Sequence, residues 1–301
     1  MLGFINLNKP AGITSHGAAE KVKKITGTHR VGHAGTLDPF ATGVLVMAIG
    51  KATKLVEFLR KDDKEYEAVI CLGATSDTYD GTGQITETPP PVPVPSGAQI
   101  TSLLQQFTGE IIQQPPKFSA IKVHGTPAYK LARAGEEVDL APRRITIHSI
   151  KLIEYRSPLV TINVHCSAGT YIRALAHDIG ARLKTGAYLA ALHRTQAGSF
   201  SIKDSIDLAD LTDKNWPQHL LPPTVGIAHF PSYETTADGA DRIKRGLKIK
   251  PSKGFAAGPI AIMSPQKELI AIGEYDNEEG YIRPTKVIAE QNNQSPITNI
   301  K

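Results

Sequence analysis

The chain has 301 residues, 41% hydrophobic and 21% charged, with 34 Lys and Arg against 29 Asp and Glu and a net charge of +5. That length suggests one large domain and a small one, the composition is that of an ordinary globular core, and no apolar run reaches the roughly 18 residues of a membrane helix. Met1–Asn8 lacks a basic-then-apolar leader, so no signal peptide is expected. Cys71 and Cys166 form no Cys-x-x-Cys pair, so a reduced, cytoplasmic setting without a disulfide frame or structural zinc is expected.

In chain order, an apolar segment at Gly3–Leu7 is followed by a turn at Lys9-Pro-Ala-Gly-Ile-Thr-Ser15. Thr14 or Ser15 caps the next helix, which carries Ala18, Val22 and Ile25 at helical spacing. His29–Gly43 reads as a Gly-rich loop, Val44–Ile49 as a short buried strand and Ala52–Leu59 as a helix. Tyr66, Ala68, Ile70 and Leu72 alternate, which predicts a strand over 66–72. Pro89–Pro95 reads as an extended polyproline connector. Ile100–Phe107 fits a helix, Arg144–Tyr155 and Leu159–Cys166 fit strands, and Tyr171–Leu183 fits a helix with Ile172, Leu175, Ile179 and Leu183 on one face. Periodicity fades around Leu220–Pro231, where a domain boundary is expected. Beyond it, Pro259–Met263 and Leu269–Tyr275 read as strands of a small β domain, and the polar stretch 291–301 as disordered. No internal repeat of fixed period is visible.

The segment richest in chemistry is Arg30-Val-Gly-His-Ala-Gly-Thr-Leu-Asp-Pro-Phe-Ala-Thr-Gly-Val-Leu45. Pro39 pushes Asp38 towards extended geometry, and a carboxylate on such a loop beside a buried strand is placed to face a cleft. On the residues alone, Asp38 reads first as a turn cap. His29-x-x-x-His33 near Asp38 has the residue types of a metal site, but Gly32 and Gly35 argue against one helix face presenting both imidazoles. Lys117, Lys122, His124, Lys130, Arg133, Arg143 and Arg144 make a basic stretch, readable as a solvated surface or as a polyanion contact.

Gly-Thr-Leu-Asp-Pro-x-Ala-x-Gly-Val-Leu resembles the catalytic motif of the TruB family of pseudouridine synthases. Lys9-Pro-x-Gly-x-Thr-Ser15, Lys64-x-Tyr66, Ser119-Ala-x-Lys-x-x-Gly125 with Tyr129-x-x-Ala-Arg-x-Gly135, and Cys166-Ser-x-Gly-Thr-Tyr-Ile-Arg173 match further blocks of that family in order, over roughly residues 3–200. The resemblance implies an α+β fold: a mixed, mainly antiparallel sheet forming a catalytic domain over 1–228, then a small β-rich PUA-like RNA-binding domain over 229–290 and a disordered tail over 291–301.

It also implies isomerisation of the T-arm uridine (position 55) of tRNA to pseudouridine. Asp38 would be the catalytic carboxylate, Arg173 its partner, and Tyr66 a stacking platform for the base and a possible base itself. His33, Tyr171 and Leu192 would contact the flipped nucleotide or the opened loop, and Lys9, with His29 and Arg30, the phosphates. His193 stands where many family members have an arginine. No cofactor, metal, guide RNA or obligate protein partner is implied, and a monomer is expected. Two other readings remain: a non-catalytic RNA-binding or RNA-folding protein, and a guide-dependent synthase subunit.

Overall fold

In the computed structural model, residues 1–89 and 94–289 are described. The polyproline core at 90–93 and the tail beyond 289 lie outside them.

Eight strands form the main path of one large sheet. Their order is Ile206–Asp207, Gly3–Lys9, Thr42–Ile49, Ala187–Ala197, Lys64–Leu72, Leu159–Cys166, Arg143–Arg156 and Gly109–Gln113, with Phe200–Ser201 and Val31–His33 attached at the side. Pairing is antiparallel except where Gly3–Lys9 meets Ile206–Asp207 and where Thr42–Ile49 meets Ala187–Ala197. This is the mixed, mainly antiparallel α+β sheet that the family resemblance implied.

Burial explains which strands read clearly. Thr42–Ile49 is buried on both faces: Leu45, Met47 and Ile49 pack towards three helices, while Val44, Val46 and Ala48 join a cluster on the other side. A doubly buried strand has a continuous apolar run rather than alternation. Lys64–Leu72 has one dry face, with Tyr66, Ala68 and Ile70 buried, and therefore alternates. The helices Ser15–Thr26, Gly97–Gln105 and Ile172–Leu183 cover that dry face with Ala18 and Val22, Ile100 and Leu104, and Leu175 and Ile179. Each buried Leu or Ile contributes about 1.5–3 kcal/mol of hydrophobic stabilisation before entropy is subtracted.

Three expectations change. The loop at His29–Gly43 contains a strand, Val31–His33, held in antiparallel register against Met47–Ile49. The helix at Ala52–Leu59 is a 3-10 segment, Gly50–Leu55, followed by one α turn, Val56–Leu59; Gly50 enters it with a left-handed φ of 63°. The central strand Ala187–Ala197 went unread because bulges between Leu189 and Ala191 and between Arg194 and Gln196 shift its faces. Each bulge inserts a residue and breaks the period of two.

A second sheet follows, ordered Ser232–Glu234, Pro259–Met263, Leu269–Asp276 and Tyr281–Val287. The helix Ala237–Lys244, capped by Thr236, packs Ala240 and Ile243 against it. Ala261, Leu269, Ile272 and Ile288 also join Phe4, Val46 and Leu55 in one buried cluster, so the two sheets share apolar surface. No helix among the described residues is long and apolar enough to cross a membrane.

Gly43 fixes the join on which the site depends. Its φ is 101°, and a Cβ there would lie 2.2 Å from the Arg194 carbonyl oxygen, where the two parallel strands touch. Gly43→Ala therefore carries both backbone strain and a clash with main chain. A loss of about 3 kcal/mol or more is expected, read as a lower urea midpoint; an unchanged midpoint would contradict this packing.

Candidate active site

Asp38 sits on a loop between Val31–His33 and Thr42–Ile49 whose backbone is latched from several sides. Ser15 Oγ donates to the Leu37 carbonyl (2.9 Å) and accepts from the Leu37 N–H (2.8 Å). The Gly12 N–H donates to the Pro39 carbonyl (2.8 Å), and the Ala34 N–H to that of Val46 (2.9 Å). Arg194, 1% exposed, donates from Nε to Val44 (2.7 Å) and from its terminal nitrogens to Gly35 (3.1 Å) and Thr36 (3.5 Å). A loop whose carbonyls are bonded this completely holds its side chains in a fixed direction.

Lys9 belongs to the same latch. It is fully buried, and its ammonium donates to the carbonyls of Pro10 (2.8 Å), Ile13 (2.9 Å) and Pro39 (3.2 Å). Burial lowers its pKa to about 8, against the pull of Asp38. The expectation that Lys9 contacts a phosphate is therefore corrected: its charge points inward to the loop, while His29 and Arg30 stay exposed. The Lys-Pro-x-Gly-x-Thr-Ser segment acts as a bracket, with Lys9 and Ser15 gripping the Asp38 loop and Thr14 capping the helix through the Gly17 N–H (2.9 Å).

Arg173 enters from the first turn of Ile172–Leu183 and meets Asp38 with two nitrogens. Nε lies 2.8 Å from Oδ2, and Nη2 donates to Oδ1 at 3.3 Å. The Nε approach is an ion-pair contact whose angle falls short of a hydrogen bond. The other donors are also engaged: Nη1 with the Thr78 carbonyl (3.0 Å) and Asp80 Oδ2 (3.2 Å), Nη2 with the Phe118 carbonyl (3.1 Å). Asp80 is buried, and its Oδ1 accepts from Thr78 Oγ1 (2.9 Å), the Thr82 N–H (2.9 Å) and Thr82 Oγ1 (2.5 Å). One guanidinium thus lies between two carboxylates. The Asp38 side chain is 31% exposed, against 6% for Arg173 and 5% for Asp80, so Asp38 alone presents an open side. Burial raises the Asp38 pKa and Asp80 adds to the rise, while Arg173 and Lys9 oppose it.

Tyr66 and Leu192 lie on the dry face of neighbouring strands. Leu192 pairs with Ala68, and Arg194 with Tyr66. Burial raises the Tyr66 pKa further above the ordinary phenol value, partly opposed by Arg194. Tyr171 precedes the Arg173 helix, half-exposed, with its N–H and carbonyl both bonded to the buried Gln113 side chain (2.9 and 3.0 Å) and the Arg143 guanidinium 5.5 Å from its ring centre. His33 is half-buried on its short strand; burial lowers its pKa, Arg60 and Arg194 lower it further, and it stays neutral near pH 7. His193 Nδ1 lies 2.8 Å from Thr42 Oγ1, at the same strand junction as Gly43.

The basic stretch forms a small unit of its own. A two-strand hairpin, Lys122–Val123 with Thr126–Pro127, leads into the helix Ala128–Arg133, and Ala128, Val138 and Leu140 make a separate buried cluster beneath it. Lys117, Lys122, His124, Lys130, Arg133 and Arg144 are exposed. This unit touches the site through the Phe118 carbonyl on Arg173.

Asp80 and Gln113 were not singled out from sequence, Arg194 was given no role, and Ser15 was read only as a helix cap or motif residue, not as a latch on the Asp38 loop. Asp80-Gly81 reads as an ordinary turn, and the roles of the others depend on contacts across the fold, such as the 158 positions between Arg194 and Thr36.

A family model described as TruB family pseudouridylate synthase (N terminal domain) matches residues 23–172, and one described as tRNA pseudouridylate synthase B C-terminal domain matches 173–223. With these matches, the sheet and the latched aspartate–arginine pair define a chain of the pseudouridylate synthase class. Curated proteins named tRNA pseudouridine synthase B are similar over most of their length. One from Dehalococcoides mccartyi (strain BAV1) is 40% identical over 295 residues, 97% of this chain and 98% of that one. One from Geotalea uraniireducens is 43% identical over 251 residues, 82% and 81% of the two chains. The chain belongs to the TruB family of pseudouridine synthases. Among solved structures, a chain of an H/ACA RNP bound to a substrate RNA containing 2′-deoxyuridine is 27% identical with a TM-score of 0.73, covering 96% of this chain and 86% of that one. A chain of a Cbf5-Nop10-Gar1 complex is 29% identical with a TM-score of 0.73, covering 95% and 85%.

Proposed function

We propose that the chain converts the T-arm uridine of tRNA (position 55) to pseudouridine, with Asp38 acting on a nucleotide turned out of its stack. The observation that carries this reading is the Asp38–Arg173 pair: a carboxylate on a rigid loop, paired on one side and open on the other. The reaction breaks the bond between ribose C1′ and uracil N1, joins C1′ to C5, moves the C5 proton away and leaves a proton on N1. Substrate and product are isomers, so the electron balance needs no oxidant or reductant. A carboxylate suits such chemistry as nucleophile or as base, and Arg173 opposes the rise in pKa that burial causes.

Extruding the base costs a few kcal/mol. An aromatic platform returns about 1–3 kcal/mol per stacked base, the role assigned here to Tyr66. Its upward pKa shift favours stacking over proton abstraction by a phenolate. In this reading Tyr171 and Leu192 contact the same turned-out nucleotide, and His33, on the loop's approach strand, fills room left by displaced loop bases. The exposed cations of the 115–144 segment supply phosphate contacts. Residues 1–228 act as the catalytic domain, and the four-stranded sheet within 229–290 as a PUA-like unit for the acceptor side of the RNA. The protein works in the cytoplasm as a monomer without a guide RNA.

The rival reading, an RNA-binding protein without catalysis, leaves the three-way Asp38–Arg173–Asp80 arrangement without a purpose. An isolated T stem-loop distinguishes them. The expected result is complete conversion of its single target uridine by the pure chain, with affinity falling about 10–100-fold between about 50 and about 200 mM salt. Tight binding without any conversion would exclude the enzymatic reading.

A further inference from the structure

Lys64–Leu72 turns Tyr66 towards the active site and Glu65 towards the opposite face of the sheet. On that opposite face lies a cluster the proposed reaction does not use. Asp63 precedes Lys64–Leu72, His165 lies on Leu159–Cys166 and His148 on Arg143–Arg156. His148 Nε2 is 3.1 Å from Asp63 Oδ2 and His165 Nε2 is 3.9 Å from the same oxygen. The ligand atoms of all three lie within 4.8 Å of one another.

The convergence has a backbone cause. Ile147 pairs with Cys166, but Ser149, not His148, pairs with His165. His148 is the extra residue of a β-bulge, which re-aims its side chain towards its neighbour. The two imidazole centres are 4.7 Å apart with planes tilted by 42°. Asp63 reaches the pair diagonally, two residues before Glu65, the cross-strand partner of His165.

We infer that Asp63, His148 and His165 form a binding site for a divalent transition ion of the zinc type, on the sheet face opposite the catalytic pocket. Two imidazoles and one carboxylate are a ligand set that such ions accept, with a fourth position left open. Bonds of about 2.0–2.2 Å in a tetrahedral site set ligand atoms roughly 3.3–3.5 Å apart. The three side chains, each 37–47% exposed, need only about an ångström of rotation to reach that spacing. A lone carboxylate facing two close imidazoles is a poor ion-pair arrangement, because two imidazolium ions would repel each other. One dication takes a lone pair from both rings and satisfies the carboxylate. The open position faces a cleft of about 460 Å³ that Asp63, Glu65, His165 and Gln196 help to line. The ion would tie the bulged strand Arg143–Arg156 to the start of Lys64–Leu72 across the strand between them.

The test uses untagged, full-length, chelator-treated protein titrated with Co(II), followed by its visible d–d absorption, with Zn(II) added to displace it. One equivalent with the band of four-coordinate cobalt is expected. His148→Ala and His165→Ala should each weaken uptake at least about tenfold while converting RNA at the wild-type rate, which also reports an intact fold. No stoichiometric uptake by the wild type, or uptake undiminished in either variant, would overturn the site.

Discussion

Asp38→Asn should lower turnover by about 10⁴-fold or more, the scale seen when a single covalent catalytic group is removed, and leave RNA affinity within a few-fold. The amide matches the carboxylate in shape, still accepts a hydrogen bond from Arg173 and disturbs none of the backbone latches at Leu37 and Pro39. Single-turnover conversion measured beside filter binding separates the two quantities; conversion within tenfold of wild type would remove Asp38 from the chemistry. The same variant tests the electrostatics. Burial holds the folded-state pKa of Asp38 above its unfolded value. Between those two values the folded protein keeps a proton that the unfolded chain has lost, so stability falls as pH rises through that window. Ionising this carboxylate in the folded state is thus destabilising, and Asp38→Asn should melt no lower than wild type. A clearly lower melting temperature would show that the Asp38–Arg173 pair outweighs desolvation.

Arg173→Ala should damage both activity and fold. It leaves Asp38 and Asp80 close together without their shared cation and frees the Thr78 and Phe118 carbonyls. Breaking a buried pair from one side costs about 3–5 kcal/mol, expected as a marked drop in melting temperature. Arg173→Lys is the more informative variant, because it keeps a charge but loses the planar fork that reaches both carboxylates. In the proposed reaction activity requires ionised Asp38, so its pKa would set the acid limb of kcat/KM. In the wild type burial shifts that limb upward from the usual aspartate position. Weaker pairing raises the pKa further, so the limb in Arg173→Lys should move to higher pH. An unmoved limb would mean that Arg173 does not tune the carboxylate.

Short-range physics made much of this legible from sequence. Alternation exposed the Tyr66 strand and helical spacing the Arg173 helix, whereas the Asp38 loop was marked by the family resemblance of its Gly-Thr-Leu-Asp-Pro run. The central strand stayed hidden because two bulges scramble its alternation. The helix Ala237–Lys244 was missed although Thr236 is an ordinary N-cap, since its apolar face is only Ala240 and Ile243. Lys9 was misread because a lysine in a turn is usually solvated; only the fold shows three carbonyls converging on its ammonium. Asp80 and Arg194 were invisible for the same reason, as their partners are assembled across the chain.

The most direct test is nucleotide-resolution mapping of pseudouridine in a full-length unmodified tRNA after incubation with the pure chain alone. The expected result is one new pseudouridine, in the T loop, at near-complete occupancy. Recovery of the tRNA bound but with every uridine unchanged, or with pseudouridine only outside the T arm, would contradict the assignment.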